Sequence, residues 1–91
     1  MFMSSTEYLQ LLARRNGYLV RPRGQGNIVL KENNGSDMEI NDEHGRQVEP
    51  ILPTAIFDDF QEANFVHQDE STVGSDVIYR LTAEGRRRGI G

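Results

Sequence analysis

The sequence contains no cysteine. That excludes a disulfide framework, a thiolate zinc site and a cysteine nucleophile together. It fits the reducing cytoplasm, where the chain is expected to reside. Long apolar runs are also missing: the longest are three residues, such as Tyr18-Leu19-Val20 and Ile28-Val29-Leu30. A membrane-spanning helix needs about 20, so no membrane partner is expected. The N-terminus, Met1-Phe2-Met3-Ser4-Ser5-Thr6, lacks the basic and apolar regions of a signal peptide. Hydrophobic residues make up only 36% of the chain, but they are clustered. Clustering favours a modest core over disorder. The 91 residues suffice for one domain, expected to span residues 1–91.

The net charge of −4 is unevenly distributed. Residues 1–31 carry a balance of +4, residues 32–76 one of −11, and residues 77–91 one of +3. Two basic ends therefore flank an acidic middle. If the ends meet in space, the molecule is a dipole with a basic patch. If the blocks interleave, the surface is mixed.

Ser4-Ser5-Thr6-Glu7 matches a capping box, in which a serine side chain and a glutamate three residues later satisfy free backbone amides reciprocally. Tyr8, Leu9, Leu12 and Ala13 follow at helical spacing. Arg14 and Arg15 suit the last turn, and Asn16-Gly17 is a stop signal. These features predict a helix over about 5–16. Tyr18–Arg21 and Ile28–Lys31 are β-prone runs joined by the glycine-rich turn Arg23-Gly24-Gln25-Gly26-Asn27. That turn lacks the remaining positions of a phosphate-binding loop and precedes no helix. Asn33-Asn34-Gly35 predicts a tight turn with positive φ at the glycine. A strand is expected over 36–41 with Met38 and Ile40 on one face, then a turn at Asp42-Glu43-His44-Gly45 and a weak strand at Arg46-Gln47-Val48. The middle of the chain thus reads as a β-meander, broken by Pro50-Ile51-Leu52-Pro53.

A second helix is expected over 53–63, with Pro53 in its first turn. Leu52, Ile56, Phe60 and Ala63 would share its buried face, with Phe57 at the flank. Phe65–Gln68 and Val77–Leu81 read as a hairpin around a polar loop at 69–75. Thr82 would cap a short helical turn reaching Arg88, weakened by Gly85. Residues 89–91 would be a frayed end. The predicted core unites Leu9, Leu12, Ile56, Phe60, Ile78 and Leu81. The fold class is α+β: an N-terminal helix, a β-meander, a second helix and a C-terminal β-hairpin.

The last third resembles the ending of many small bacterial winged-helix domains. In those, the second wing strand often reads Tyr-x-Leu-Thr-x-x-Gly before a closing helix, and Tyr79, Leu81, Thr82 and Gly85 fill those places. The match covers about 35 residues. It implies a winged-helix-like fold and a regulatory, nucleic-acid-binding role in a bacterium or phage. A meander between the helices departs from the usual plan. In that layout alone the chain is similar to the YjhX-type toxin family, described as inhibiting a DNA topoisomerase. That similarity implies a protein inhibitor as the alternative.

The helix at 53–63 would be the recognition helix of a winged-helix domain, yet it offers Asp58, Asp59, Gln61 and Glu62 and no Arg or Lys. Phosphates would repel it. Arg14, Arg15, Arg21, Arg23, Arg86, Arg87 and Arg88 are the candidate contacts for nucleic acid or an anionic protein. Asp58, Asp59 and Glu62 are the candidate acidic surface for a protein partner. Asp42-Glu43-His44 is too local to surround a metal ion, and His67 with Asp69 and Glu70 is a minor candidate for a general base. No nucleophile elbow is present. The expected function is therefore a non-enzymatic binding module without cofactor. Its partner would be nucleic acid or a protein, a second copy in a homodimer included.

Overall fold

The computed structural model describes residues 3–24, 26–69 and 76–90. Helix α1 spans Ser5–Arg15, and the capping box that starts it is formed. The Glu7 amide donates to Ser4 Oγ at 3.2 Å, and the Ser4 amide donates to Glu7 Oε1 at 3.1 Å. Such a cap stabilises a helix by about 1 kcal/mol. Asn16 ends the helix in the left-handed region at φ 52°, and the Gly17 amide donates to the Leu12 carbonyl at 3.0 Å. The stop signal Asn16-Gly17 thus acts through the asparagine, which takes the left-handed conformation. Gly17 meets a different need: a β-carbon there would stand 2.5 Å from the Lys31 carbonyl oxygen.

Strands β1 (Tyr18–Arg21) and β2 (Ile28–Lys31) form the first antiparallel hairpin, with Leu19 opposite Leu30. Gly24 and Gly26 in its turn have positive φ; Gln25 lies outside the described residues. The next turn closes through the Gly35 amide on the Glu32 carbonyl at 2.9 Å, with Gly35 at φ 94° as expected.

Beyond that turn the expected meander does not form. Asp37 and Met38 touch the edge of β2 through one bridge, and the chain then leaves the sheet. The strand expected over 36–41 is reduced to β3 (Ile40–Asn41), which pairs with β4 (Gln47–Val48) as a separate two-stranded ribbon. Met38 and Ile40 are nevertheless both buried, as their spacing predicts. The Pro50–Pro53 segment is not simply a break. Its centre is β5 (Ile51–Leu52), which returns to β2 with Leu52 opposite Ile28. Pro50 lacks a donor but still accepts, its carbonyl taking the Leu30 amide at 2.7 Å.

Helix α2 spans Thr54–Glu62 and is followed by the antiparallel pair β6 (Val66–Asp69) and β7 (Val77–Leu81). Residues 70–75 of the polar loop lie outside the described residues. Strand β7 also pairs with β1, so both hairpins belong to one antiparallel sheet of order β5-β2-β1-β7-β6. Helix α3 spans Ala83–Ile90, so Gly89 and Ile90 are helical rather than frayed. Thr82 caps it, its Oγ1 accepting from the Gly85 amide at 3.0 Å.

One face of the sheet carries Leu19, Ile28, Leu30, Leu52, Val66 and Leu81, all in the buried core with Tyr8, Leu9, Leu12 and Ala13 of α1. Phe57 of α2, expected at the flank, is the centre of this core at 0% exposure. Its ring meets Tyr79 edge-on at 4.9 Å between centroids. Phe60 is buried as expected, Ile56 only packs against the core, and Ala63 is exposed. Ile78 is the other departure. It sits one residue from Tyr79 on a strand, and neighbouring side chains on a strand point to opposite faces. Tyr79 therefore packs against the core, and Ile78 lies on the far side of the sheet. Helix α3 packs against α1. The architecture is mixed α+β, with helices on one side of a five-stranded antiparallel sheet.

Candidate functional site

The two basic ends of the chain are carried by α1 and α3, and these helices lie together. The contact is close because Gly89 faces α1. A β-carbon there would stand 2.7 Å from both the Ala13 β-carbon and the Leu9 carbonyl oxygen. Arg14, Arg15, Arg87 and Arg88 are exposed on this helical layer and Arg86 is half-buried. Several of these cations already have acidic neighbours. Arg15 donates to Glu32 at 3.0 Å and to the Glu39 carbonyl at 2.6 Å. Arg87 and Arg88 both pair with Glu84, the latter at 3.5 Å. Arg14 and Arg86 form no ion pair among the described residues.

Arg21 and Arg23 do not join this group through α1 or α3. Arg21 ends β1 on the core side, and its guanidinium lies 5.3 Å from the centroid of Phe57 on α2. It therefore stands beside the acidic helix. Arg23 is exposed in the following turn. The seven arginines are thus split between two places, and the charge blocks partly interleave.

Asp58, Asp59 and Glu62 are exposed on α2 and form no ion pair among the described residues. Phe57 and Phe60 turn the opposite side of the helix into the core. The carboxylates therefore form a solvent-facing acidic strip held by a rigid anchor.

Tyr79, Leu81, Thr82 and Gly85 each have a structural part. Tyr79 packs on Phe57, and Leu81 stands opposite Val66 in the core. Thr82 Oγ1 also donates to the Asn64 carbonyl at 2.6 Å, tying the end of β7 to the turn after α2. Gly85 lets α3 touch the backbone of Phe65, where a β-carbon would clash with the carbonyl oxygen. Gly85 is therefore a contact residue rather than a weak point of the helix.

His44 is exposed in the β3–β4 turn, where Asp42 Oδ1 accepts from the amides of His44 and Arg46, each at 2.9 Å. That carboxylate is occupied in shaping the turn. His67 is exposed on β6, and Asp69 on the same strand pairs with Arg80 at 2.7 Å rather than orienting the imidazole. Glu70, the third member of that candidate base, lies outside the described residues. An open groove of about 320 Å³ runs between α1 and the β3–β4 ribbon, lined by Met3, Leu11, Arg14, Ile40, Asp42 and Glu43 among others. It brings neither histidine to its wall. No described helix is long and apolar enough to cross a membrane.

A further group escapes inspection of the sequence. Lys31, Tyr18, Arg80 and His67 come from four neighbouring strands and stand in one row across the sheet. Only the alternation within each strand signals their shared face; the register that aligns them is a property of the fold. No protein family, curated protein or solved structure matches this chain.

Proposed function

We propose that this chain is a non-enzymatic, winged-helix-like binding module whose α1–α3 layer contacts an anionic partner, in the first place nucleic acid. The observation that carries this reading is the packing of α3 on α1, because it brings the two basic ends of the chain into one layer. Arg14 and Arg86 are the strongest contacts on this account, since neither is neutralised by a described acidic neighbour. Arg15, Arg87 and Arg88 would exchange a surface carboxylate for a phosphate. Exposed ion pairs contribute little, with a median of about 0–1 kcal/mol, so that exchange costs little. The order α2, β6, β7, α3 agrees with the helix–wing ending that the resemblance implies. The exposed carboxylates of α2 speak against the usual docking of that helix in a major groove.

The test is binding of a labelled DNA duplex over a series of salt concentrations. Replacing Arg86, Arg87 and Arg88 with Ala is expected to weaken binding about equally for all sequences. It should flatten the salt slope by about two to three units, because each phosphate contact releases a counterion. Replacing Asp58, Asp59 and Glu62 with Ala is expected to leave binding unchanged or strengthen it.

A second reading is favoured by one observation: Asp58, Asp59 and Glu62 form an exposed strip without described counter-ions. We propose it as the contact of an inhibitor or toxin-like protein with a basic protein surface. Loss of a protein partner in the α2 variant, with retention in the arginine variant, would select this reading.

A further inference from the structure

We propose that the face of the sheet turned away from the helices binds a short stretch of single-stranded nucleic acid, with Lys31, Tyr18, Arg80 and His67 as its contact row. This surface is separate from the α1–α3 layer and does not rest on that reading.

The face is defined by register. Tyr18 stands opposite Lys31, Val20 opposite both Val29 and Ile78, and Val29 opposite Ile51. His67 stands opposite Arg80, whose guanidinium lies 4.8 Å from the Tyr18 ring centroid. Two parallel rows result. One is aliphatic: Ile51, Val29, Val20 and Ile78. The other carries two cations and two flat rings: Lys31, Tyr18, Arg80 and His67. The four aliphatic residues are half-buried yet none belongs to the hydrophobic core. The buried residues of α1 and α2 all join the core on the opposite side.

The second row decides the chemistry of the occupant. An aliphatic row alone would suit any apolar surface. Beside it, however, Lys31 and Arg80 flank the Tyr18 ring, and His67 follows Arg80. That combination matches a chain of phosphates carrying flat bases, because bases stack on aromatic and guanidinium planes while cations take the phosphates. Asp37, opposite Lys31, and Asp69, opposite Ile78 at the end of the aliphatic row, pair with the two cations, at 2.5 Å from Lys31 and 2.7 Å from Arg80. A phosphate would therefore exchange with these carboxylates, and exposed ion pairs contribute little. The Arg80 side chain keeps 40% of its surface exposed while its guanidinium lies over Tyr18. Four adjacent strands cover roughly 14 Å at their usual spacing, the reach of about two or three splayed bases on a sheet platform. A duplex hides its base planes and would not use such a surface.

The experiment measures anisotropy of a labelled oligothymidine of about a dozen nucleotides, with a duplex of equal length as comparison. With Arg86, Arg87 and Arg88 replaced by Ala, so that the α1–α3 layer contributes less, the single strand is expected to bind more tightly than the duplex. Tyr18→Ala should weaken it by about ten-fold and Tyr18→Phe should retain it. Lys31→Gln should reduce the salt slope by about 0.7 of a unit. Circular dichroism establishes that each variant folds. If Tyr18→Ala does not, Lys31→Gln and His67→Gln carry the test. Equal or tighter duplex binding by the variant lacking Arg86, Arg87 and Arg88, no binding of the oligothymidine, or indifference to the Tyr18, Lys31 and His67 changes would each overturn the proposal. A dimer in sedimentation that Val20→Lys dissociates would assign this face to a second copy of the chain and overturn it as well.

Discussion

Gly85 on α3 lies directly against the backbone of Phe65, with no room for a β-carbon between them. Helix propensity and packing therefore make opposite demands on this residue. In a helix interior, alanine is favoured over glycine by about 1 kcal/mol. Against that, overpacking a closed contact costs about 1–3 kcal/mol, and the neighbour here is main chain, which cannot rotate away. Gly85→Ala is expected to lower stability by more than about 1 kcal/mol net. Urea unfolding measures it, and a gain in stability would mean that α3 stands off from Phe65.

Phe57 and Ile78 give a paired prediction. Both are large and apolar, but Phe57 is fully buried and Ile78 lies outside the core. Phe57→Ala should cost about 3–5 kcal/mol. Ile78→Ala should cost well under half of that, since a half-buried side chain leaves a smaller void. Comparable losses in thermal unfolding would show that the far face of the sheet is packed as tightly as the core.

Gly35 has φ 94° in the turn after β2, and the Gly35 amide is bonded to the Glu32 carbonyl. A β-branched residue tolerates that conformation badly. Gly35→Val should destabilise by more than about 1 kcal/mol. The same change at Gly24, also at positive φ but in the β1–β2 turn, tests the same strain in a different loop. A neutral outcome at both would mean that these turns reorganise freely.

Tyr8 links stability to alkaline pH. Burial, and secondarily the Glu7 carboxylate, pushes its phenol above the ordinary value of 10.0. The unfolded chain ionises first as pH rises, so it binds fewer protons than the folded chain in that range. The contribution of Tyr8 is therefore complete below about pH 10 and is lost as pH rises through the folded value. Tyr8→Phe should flatten the alkaline decline in unfolding free energy relative to the parent. An unchanged decline would assign it to other groups.

Much of the local structure was legible in the sequence because its causes are local. Ser4 and Glu7 act within one helical turn, Asn16 ends α1 within two residues of its last turn, and Gly35 serves a turn closed by Glu32. Runs such as Tyr18–Arg21, Ile28–Lys31 and Val77–Leu81 declare strands by composition. The candidate cations and carboxylates could be named for the same reason, since charge is written in the residue itself.

Only the tertiary structure decided which strands are neighbours, which arginines are neutralised and which side chains share a face. Leu19 and Tyr79 are sixty residues apart in sequence yet stand opposite each other, and that one pairing turns two hairpins into a single sheet. It turns Tyr79 toward the core, turns Ile78 to the far face, and aligns Arg80 with Tyr18. The requirements for glycine at 17, 85 and 89 likewise come from distant backbone, at Lys31, Phe65 and Leu9. Local signals extend over a few residues. Register and close approach are set by the simultaneous fit of segments that meet only after the chain has folded.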